Sequence, residues 1–171
     1  MIAATTRNEI AHRKLLIDDS QDSQVKVFGK ALGAKSERVS IGNQQMQSVN
    51  IERLLKALDS EGKPLYPQLQ GLKNDAERMA LDPKYGALLL GAYLQDVATR
   101  LENGEDPIPT YNGAHRSEIL QKIRTLWASG DPENRTDALI RSYNPGDGQV
   151  HVDNVRQHLR EIKTNVGKLF I

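Results

Sequence analysis

An all-α fold is predicted by three observations. Apolar residues return at three- and four-residue steps along most of the chain, runs with the two-residue alternation of a strand are few and short, and helical segments are joined by tight turn chemistry. With 171 residues the chain can bury one good core but is short for two full domains, so a single domain over residues 1–171 is expected.

Taken in order, the spacing predicts helices over Thr6 to Ile17 and Gln24 to Leu32. Arg38-Val39-Ser40-Ile41 alternates, but over too few residues to build a sheet. Helices over Asn50 to Asp59 and Pro67 to Leu81 follow, separated by the turn Asp59-Ser60-Glu61-Gly62-Lys63-Pro64. Asp82-Pro83 then supplies a cap and a first-turn proline for a helix carrying Tyr85, Leu88, Leu89, Gly91-Ala92, Tyr93, Val97 and Leu101, which Glu102-Asn103-Gly104 stops. Because Ala87-Leu88-Leu89-Leu90-Gly91-Ala92 is apolar nearly all round, this helix is expected to be central and the most buried. Beyond the loop Asn103-Gly104-Glu105-Asp106-Pro107-Ile108-Pro109 come helices over Ser117 to Ala128, Pro132 to Arg141 and Val150 to Val166. Gln149-Val150-His151-Val152 also alternates, again too briefly for a sheet.

Composition narrows the function. Lys and Arg number 23 against 22 Asp and Glu, and a net charge of +1 gives no field to draw in nucleic acid or an anionic membrane. The absence of cysteine removes disulfides, thiolate chemistry and Cys-ligated zinc while fitting either cytosol or periplasm. No apolar run approaches the roughly 20 residues that cross a bilayer, and the first residues do not read as a secretion signal. His12, His115, His151 and His158 lack the helical two-His spacing of a zinc site, and Asp147-Gly148-Gln149 with Asp153 is too sparse for a calcium loop. No metal and no cofactor is expected.

Three stretches carry candidate chemistry. Glu9 lies in Ile2-Ala3-Ala4-Thr5-Thr6-Arg7-Asn8-Glu9-Ile10; on a helix Thr5, Thr6, His12 and Arg13 share or flank its face, while Ile2, Ile10 and Leu16 can anchor the other side. A carboxylic acid so placed can protonate a leaving oxygen near neutral pH if a partly apolar site raises its pKa, although a glutamate on a helix is most often simply exposed. In Ser40-Ile41-Gly42-Asn43-Gln44-Gln45-Met46-Gln47, Gly42 lets backbone approach a ligand closely, Gln45 offers an amide that both donates and accepts, and Met46 suits a core position. The same stretch also reads as a polar loop ahead of the helix at Asn50. The third is a Tyr-Asn pair, found both in Ala138-Leu139-Ile140-Arg141-Ser142-Tyr143-Asn144-Pro145-Gly146-Asp147-Gly148 and in Thr110-Tyr111-Asn112-Gly113. Either pair can equally be a helix terminus with an aromatic plug.

In this order the three stretches resemble the motifs of the lytic transglycosylase and goose-type lysozyme superfamily: a catalytic glutamate on a helix, Ser-x-Gly-x-x-Gln-Met, and an apolar helix ending in Tyr-Asn-x-Gly-x-Gly-x-Val. Gly91-Ala92-Tyr93-Leu94 is similar to the Gly-x-x-Tyr-Leu of the family's central helix, where Tyr93 supports the core. The likeness runs from Glu9 to about Val155. It departs from the family at Ile10, where Ser is common; at Asn43-Gln44, where apolar or small residues are common; and in the longer spacer between Glu9 and Gly42.

The resemblance implies a lysozyme-like helical domain with a glycan-binding cleft and muramidase activity on the MurNAc-GlcNAc β-1,4 bond of peptidoglycan. Glu9 and Tyr143 are then catalytic, and Ser40, Gly42, Gln45, Met46, Tyr111, Asn112 and Asn144 bind substrate. Motif spelling favours Tyr143 and spacing from the central helix favours Tyr111. Two chemistries stay open. An inverting hydrolase needs a second carboxylate roughly 6.5–9.5 Å from the acid, for which Asp18, Asp19 and Asp22 are candidates, whereas a lytic transglycosylase uses the substrate's own N-acetyl and C6 hydroxyl groups. With only eight residues ahead of Glu9, the resemblance implies a module of a longer polypeptide acting in the periplasm or cell wall. The routes weighed are a secreted antibacterial effector, which would have an immunity-type inhibitor as partner, a phage protein, or an exported wall-remodelling enzyme. The rival class is a non-catalytic helical domain that grips glycan or a protein.

Overall fold

In a computed structural model, the residues described are 40–41, 46–72, 83–146 and 148–167. The predicted helices over Thr6 to Ile17 and Gln24 to Leu32 fall outside them. The architecture is all-α: five α-helices and one 3-10 helix are accompanied, among the described residues, by a single pair of two-residue strands. The chain divides into two compact units, with the boundary between Tyr93 and Leu94, inside one helix.

In the first unit β1 (Ser40–Ile41) pairs antiparallel with β2 (Met46–Gln47), Ser40 opposite Gln47 and Ile41 opposite Met46. Helix α1 (Ser48–Lys56) follows at once and buries Ile51, Leu54 and Leu55, the three-and-four spacing that gives a helix one apolar face. On its exposed side Lys56 and Glu52, one turn apart, form an ion pair of 3.0 Å. The predicted turn after it is present. The Asp59 carboxylate accepts from the backbone N–H groups of Glu61 and Lys63, both at 2.9 Å, and Gly62 takes the positive φ of +77° that the turn requires. Leu65 N–H donates back to Ala57 O at 2.9 Å, so the chain returns to its starting point and drops Tyr66 and Leu69 into the interior. The helix expected over Pro67 to Leu81 begins as a 3-10 helix, Pro67–Leu72, and the residues after it are outside the description.

Helix α2 (Pro83–Glu102) crosses the unit boundary. It buries Leu89, Leu90, Ala92, Tyr93, Leu94, Val97 and Leu101, yet Ala87 and Leu88 face solvent, so its apolar start is not covered all round. Its end is the one expected from Gly104. That residue sits at φ +72°, Gly104 N–H donates to Leu101 O and Glu105 N–H to Arg100 O, the paired bonds of a Schellman cap.

The second unit continues with α3 (Arg116–Ala128), α4 (Pro132–Tyr143) and α5 (Gly148–Gly167); α3 packs on α4 and α4 on α5. Ile140 of α4 forms a buried cluster with Val152 and Val155 of α5, against which Leu159 packs. The alternating stretch at Gln149 is therefore helical: Val152 and Val155, three residues apart, are both needed on the buried face. Between α3 and α4 the chain turns at Gly130, φ +74°. Asp131 then caps α4, its carboxylate accepting from Asn134 N–H at 2.9 Å with Pro132 in the first turn. Asp131→Ala is expected to cost about 1 kcal/mol in urea unfolding, and Asp131→Asn, which keeps the acceptor, only a fraction of it. An unchanged midpoint in the alanine variant would show that the cap is not holding the helix.

Candidate functional site

Of the residues singled out by sequence, Glu9, Gly42 and Gln45 lie outside the described residues, as do Asp18, Asp19 and Asp22. Ser40 and Met46 are strand residues of the hairpin, placed by backbone pairing, with residues 42–45 between the two strands in sequence. Both Tyr-Asn pairs are described, and both belong to the second unit.

Tyr111 sits in a loop fixed by arginines. Arg116 donates through Nε to Tyr111 O at 2.8 Å and pairs through its other nitrogen with Asp106, whose carboxylate also accepts from Ile108 N–H at 2.9 Å. Arg124 reaches the carbonyls of Gly104 and Glu105. Within this frame the Tyr111 hydroxyl donates to Ala114 O at 3.2 Å, and the ring lies so close over Gly113 that a Cβ there would come within 2.4 Å of the hydroxyl oxygen. A side chain at 113 would have to displace the Tyr111 ring. The phenol is thereby engaged by its own turn, while Asn112 stands exposed.

Tyr143 closes α4, which runs two residues beyond the predicted end at Arg141. The extra turn is supported from inside: Ser142 is fully buried and its hydroxyl donates to Ala138 O at 2.8 Å. The Tyr143 ring stacks on the His151 ring of α5 at 6.4 Å between centroids and 25° between planes. His151 is buried, and the Tyr143 hydroxyl oxygen is shielded from solvent. Asn144 is the C-cap, its N–H donating to Ile140 O at 3.3 Å. Tyr143 thus anchors the joint between two helices through one face of its ring.

Next to this joint, residues of α3 and the end of α4 flank a half-open pocket of about 190 Å³ lined by Glu118, Ile119, Lys122, Arg141 and Pro145. Arg141 and Pro145 flank the Tyr143-Asn144 pair in sequence. Sequence reasoning passed over Lys122 and Glu118, which are ordinary exposed helix residues until tertiary packing brings Arg141 beside them. The one available signal was their spacing of four, which puts both on the same face of α3.

Tyr93 is buried in the first unit with the Arg53 guanidinium 5.9 Å from its ring centre, a packing position. Among the described residues there is no group of three His, Cys, Asp or Glu side chains arranged to hold a metal, and no helix long and apolar enough to cross a membrane. Comparison with protein-family models, with curated proteins and with solved structures gave no match.

Proposed function

We propose that the chain is a peptidoglycan-cleaving muramidase of lysozyme-like type, acting on the MurNAc-GlcNAc β-1,4 bond with Glu9 as general acid. The observation that carries the reading is the order of three motifs along one all-α chain: an acid in the first stretch, Ser-x-Gly-x-x-Gln-Met, and a helix ending in Tyr-Asn-x-Gly. Two structural details support it. The second motif starts and finishes in two paired strands directly ahead of α1. The third is a true helix end, with Asn144 as its cap.

In this reading Glu9 protonates the leaving oxygen, Gln45 and Asn144 hold the sugar, Gly42 lets backbone come close, and Tyr143 lies at the acid. Ser40, Met46, Tyr111 and Asn112 complete the walls. The module acts in the periplasm or cell wall, in the manner of a bacteriolytic effector, with an inhibitor protein as its natural antagonist in that case. The test is digestion of purified peptidoglycan followed by mass spectrometry of the soluble fragments. Anhydro-sugar ends are the expected product of transglycosylase chemistry and reducing ends of hydrolysis; no release of disaccharide fragments of either kind would sink the proposal.

A second reading draws on the shielding of the Tyr143 hydroxyl and the engagement of the Tyr111 hydroxyl in its own loop. Phenols committed to packing favour a non-catalytic helical domain that binds glycan or protein. The same digestion separates the two, because a binding domain sediments with insoluble peptidoglycan without releasing fragments from it.

A further inference from the structure

We propose that the pocket between α3 and the end of α4 binds a small monocarboxylate bearing a short apolar substituent. The proposal is independent of the wall-degrading reading, since Glu9 has no part in it.

The charge of the pocket is unbalanced. Lys122 and Arg141 bring two cations, and neither pairs with a carboxylate among the described residues. Glu118, one turn from Lys122 on the same helix, instead faces His115, 3.5 Å away, with both side chains largely exposed. Arg141 is held in place by a neutral group: its terminal nitrogen donates to the Gln149 side-chain oxygen, and the Gln149 amide donates to Asp153 at 2.7 Å. Its Nε is shielded from solvent and makes no hydrogen bond among the described residues. The Nε is closed to a ligand, but a guanidinium held on one side by a neutral partner keeps its charge for an anion in the pocket that it lines.

Three features select the anion. A planar carboxylate matches the guanidinium fork, and charge-assisted bonds of that kind are roughly twice as strong as neutral ones. Glu118 in the same lining offsets one of the two cations, leaving a net charge that a monoanion neutralises, and phosphate brings no apolar part to meet Ile119 and Pro145. Ile119 and Pro145 supply an apolar wall for the rest of the ligand. The pocket is small and open on one side, about 190 Å³ against the roughly 300–1,000 Å³ of pockets that enclose drug-sized molecules, so it suits the end of a ligand with one short group. The carboxyl-terminal alanine of a peptide has this chemistry.

The experiment is an amide-resolved NMR titration of the full chain with N-acetylalanine, with N-acetylalaninamide, which lacks the carboxylate, and with inorganic phosphate. The acid is expected to give saturable shifts confined to α3 and residues 141–149, with the amide inert and phosphate weaker. Arg141→Gln, checked for fold by circular dichroism, is expected to weaken the acid by about tenfold or more, as loss of a charge-assisted bond dictates. Lys122→Gln, on an exposed position, provides the same reading should the Arg141 variant not fold. Equal binding of the amide, tighter binding of phosphate, shifts elsewhere, no saturable shift, or unchanged affinity in a folded Arg141→Gln or Lys122→Gln protein would each overturn the proposal.

Discussion

Replacing Glu9 with glutamine is expected to reduce peptidoglycan lysis by about 10²- to 10⁴-fold while leaving the helical circular dichroism unchanged, because the amide keeps the shape of the acid but has no proton to give. The size of the effect follows from the proposed chemistry. In both the hydrolase and the transglycosylase route the leaving oxygen departs only as it is protonated, and no second acid is assigned to that task. Aspartate at position 9 makes the complementary variant. It retains the proton but withdraws it by about one bond length, and a displacement near 1 Å is enough to cost about 10² in rate. The order wild type, then Glu9→Asp, then Glu9→Gln, followed by turbidity of a wall suspension, identifies an acid whose position matters. Full lysis by a folded Glu9→Gln protein would remove Glu9 from the mechanism.

Local rules were readable where one residue dictates one backbone state. Gly104 ends α2 with a positive φ and a Schellman cap, and Asp131-Pro132 starts α4; both follow from the spelling of the chain. Packing decided what the spelling left open. Gln149-Val150-His151-Val152 alternates as a strand would, yet the helix expected from Val150 is present and starts at Gly148, with Val152 and Val155 sharing the face that meets Ile140. Helix α4 outlasts its predicted end because Ser142, polar and so expected outside, is buried and satisfied by Ala138 O. The helix carrying Tyr85 to Leu101 is present, yet Leu88 is exposed, since a run apolar on every side still has only as many covered faces as it has neighbours. Of the candidate site, the motif spelling was legible, whereas the end of α4 lies two residues beyond the expected Arg141, at Tyr143. The partnership of Tyr143 with His151, and the meeting of Lys122 with Arg141, join positions distant along the chain and have no local signature.

That dependence on packing makes Ile140 a sensitive position in the second unit. Its side chain is 1% exposed and forms a buried cluster with Val152 and Val155, packed against Leu159, at the α4–α5 interface. Ile140→Ala removes the transfer free energy of the lost methylene and methyl groups and leaves a cavity that two helices tied by Arg156 and Asp137, 2.6 Å apart, can only partly close. The expected cost is about 2–5 kcal/mol, measured as a fall in the urea midpoint at constant slope. Set against a total of about 5–15 kcal/mol for an ordinary domain, this is a large share. Val150→Ala is the internal control: it lies on α5, the partner helix, two residues before Val152, but is 67% exposed, with an expected change within about 0.5 kcal/mol. The contrast separates burial from helix propensity, because both substitutions put alanine in place of a β-branched residue and gain the same small propensity advantage. If the two variants lose equal stability, the α4–α5 interface does not carry the second unit. If Ile140→Ala alone is destabilised, the joint beneath Tyr143 and Arg141 is a packed floor on which the nearby pocket rests.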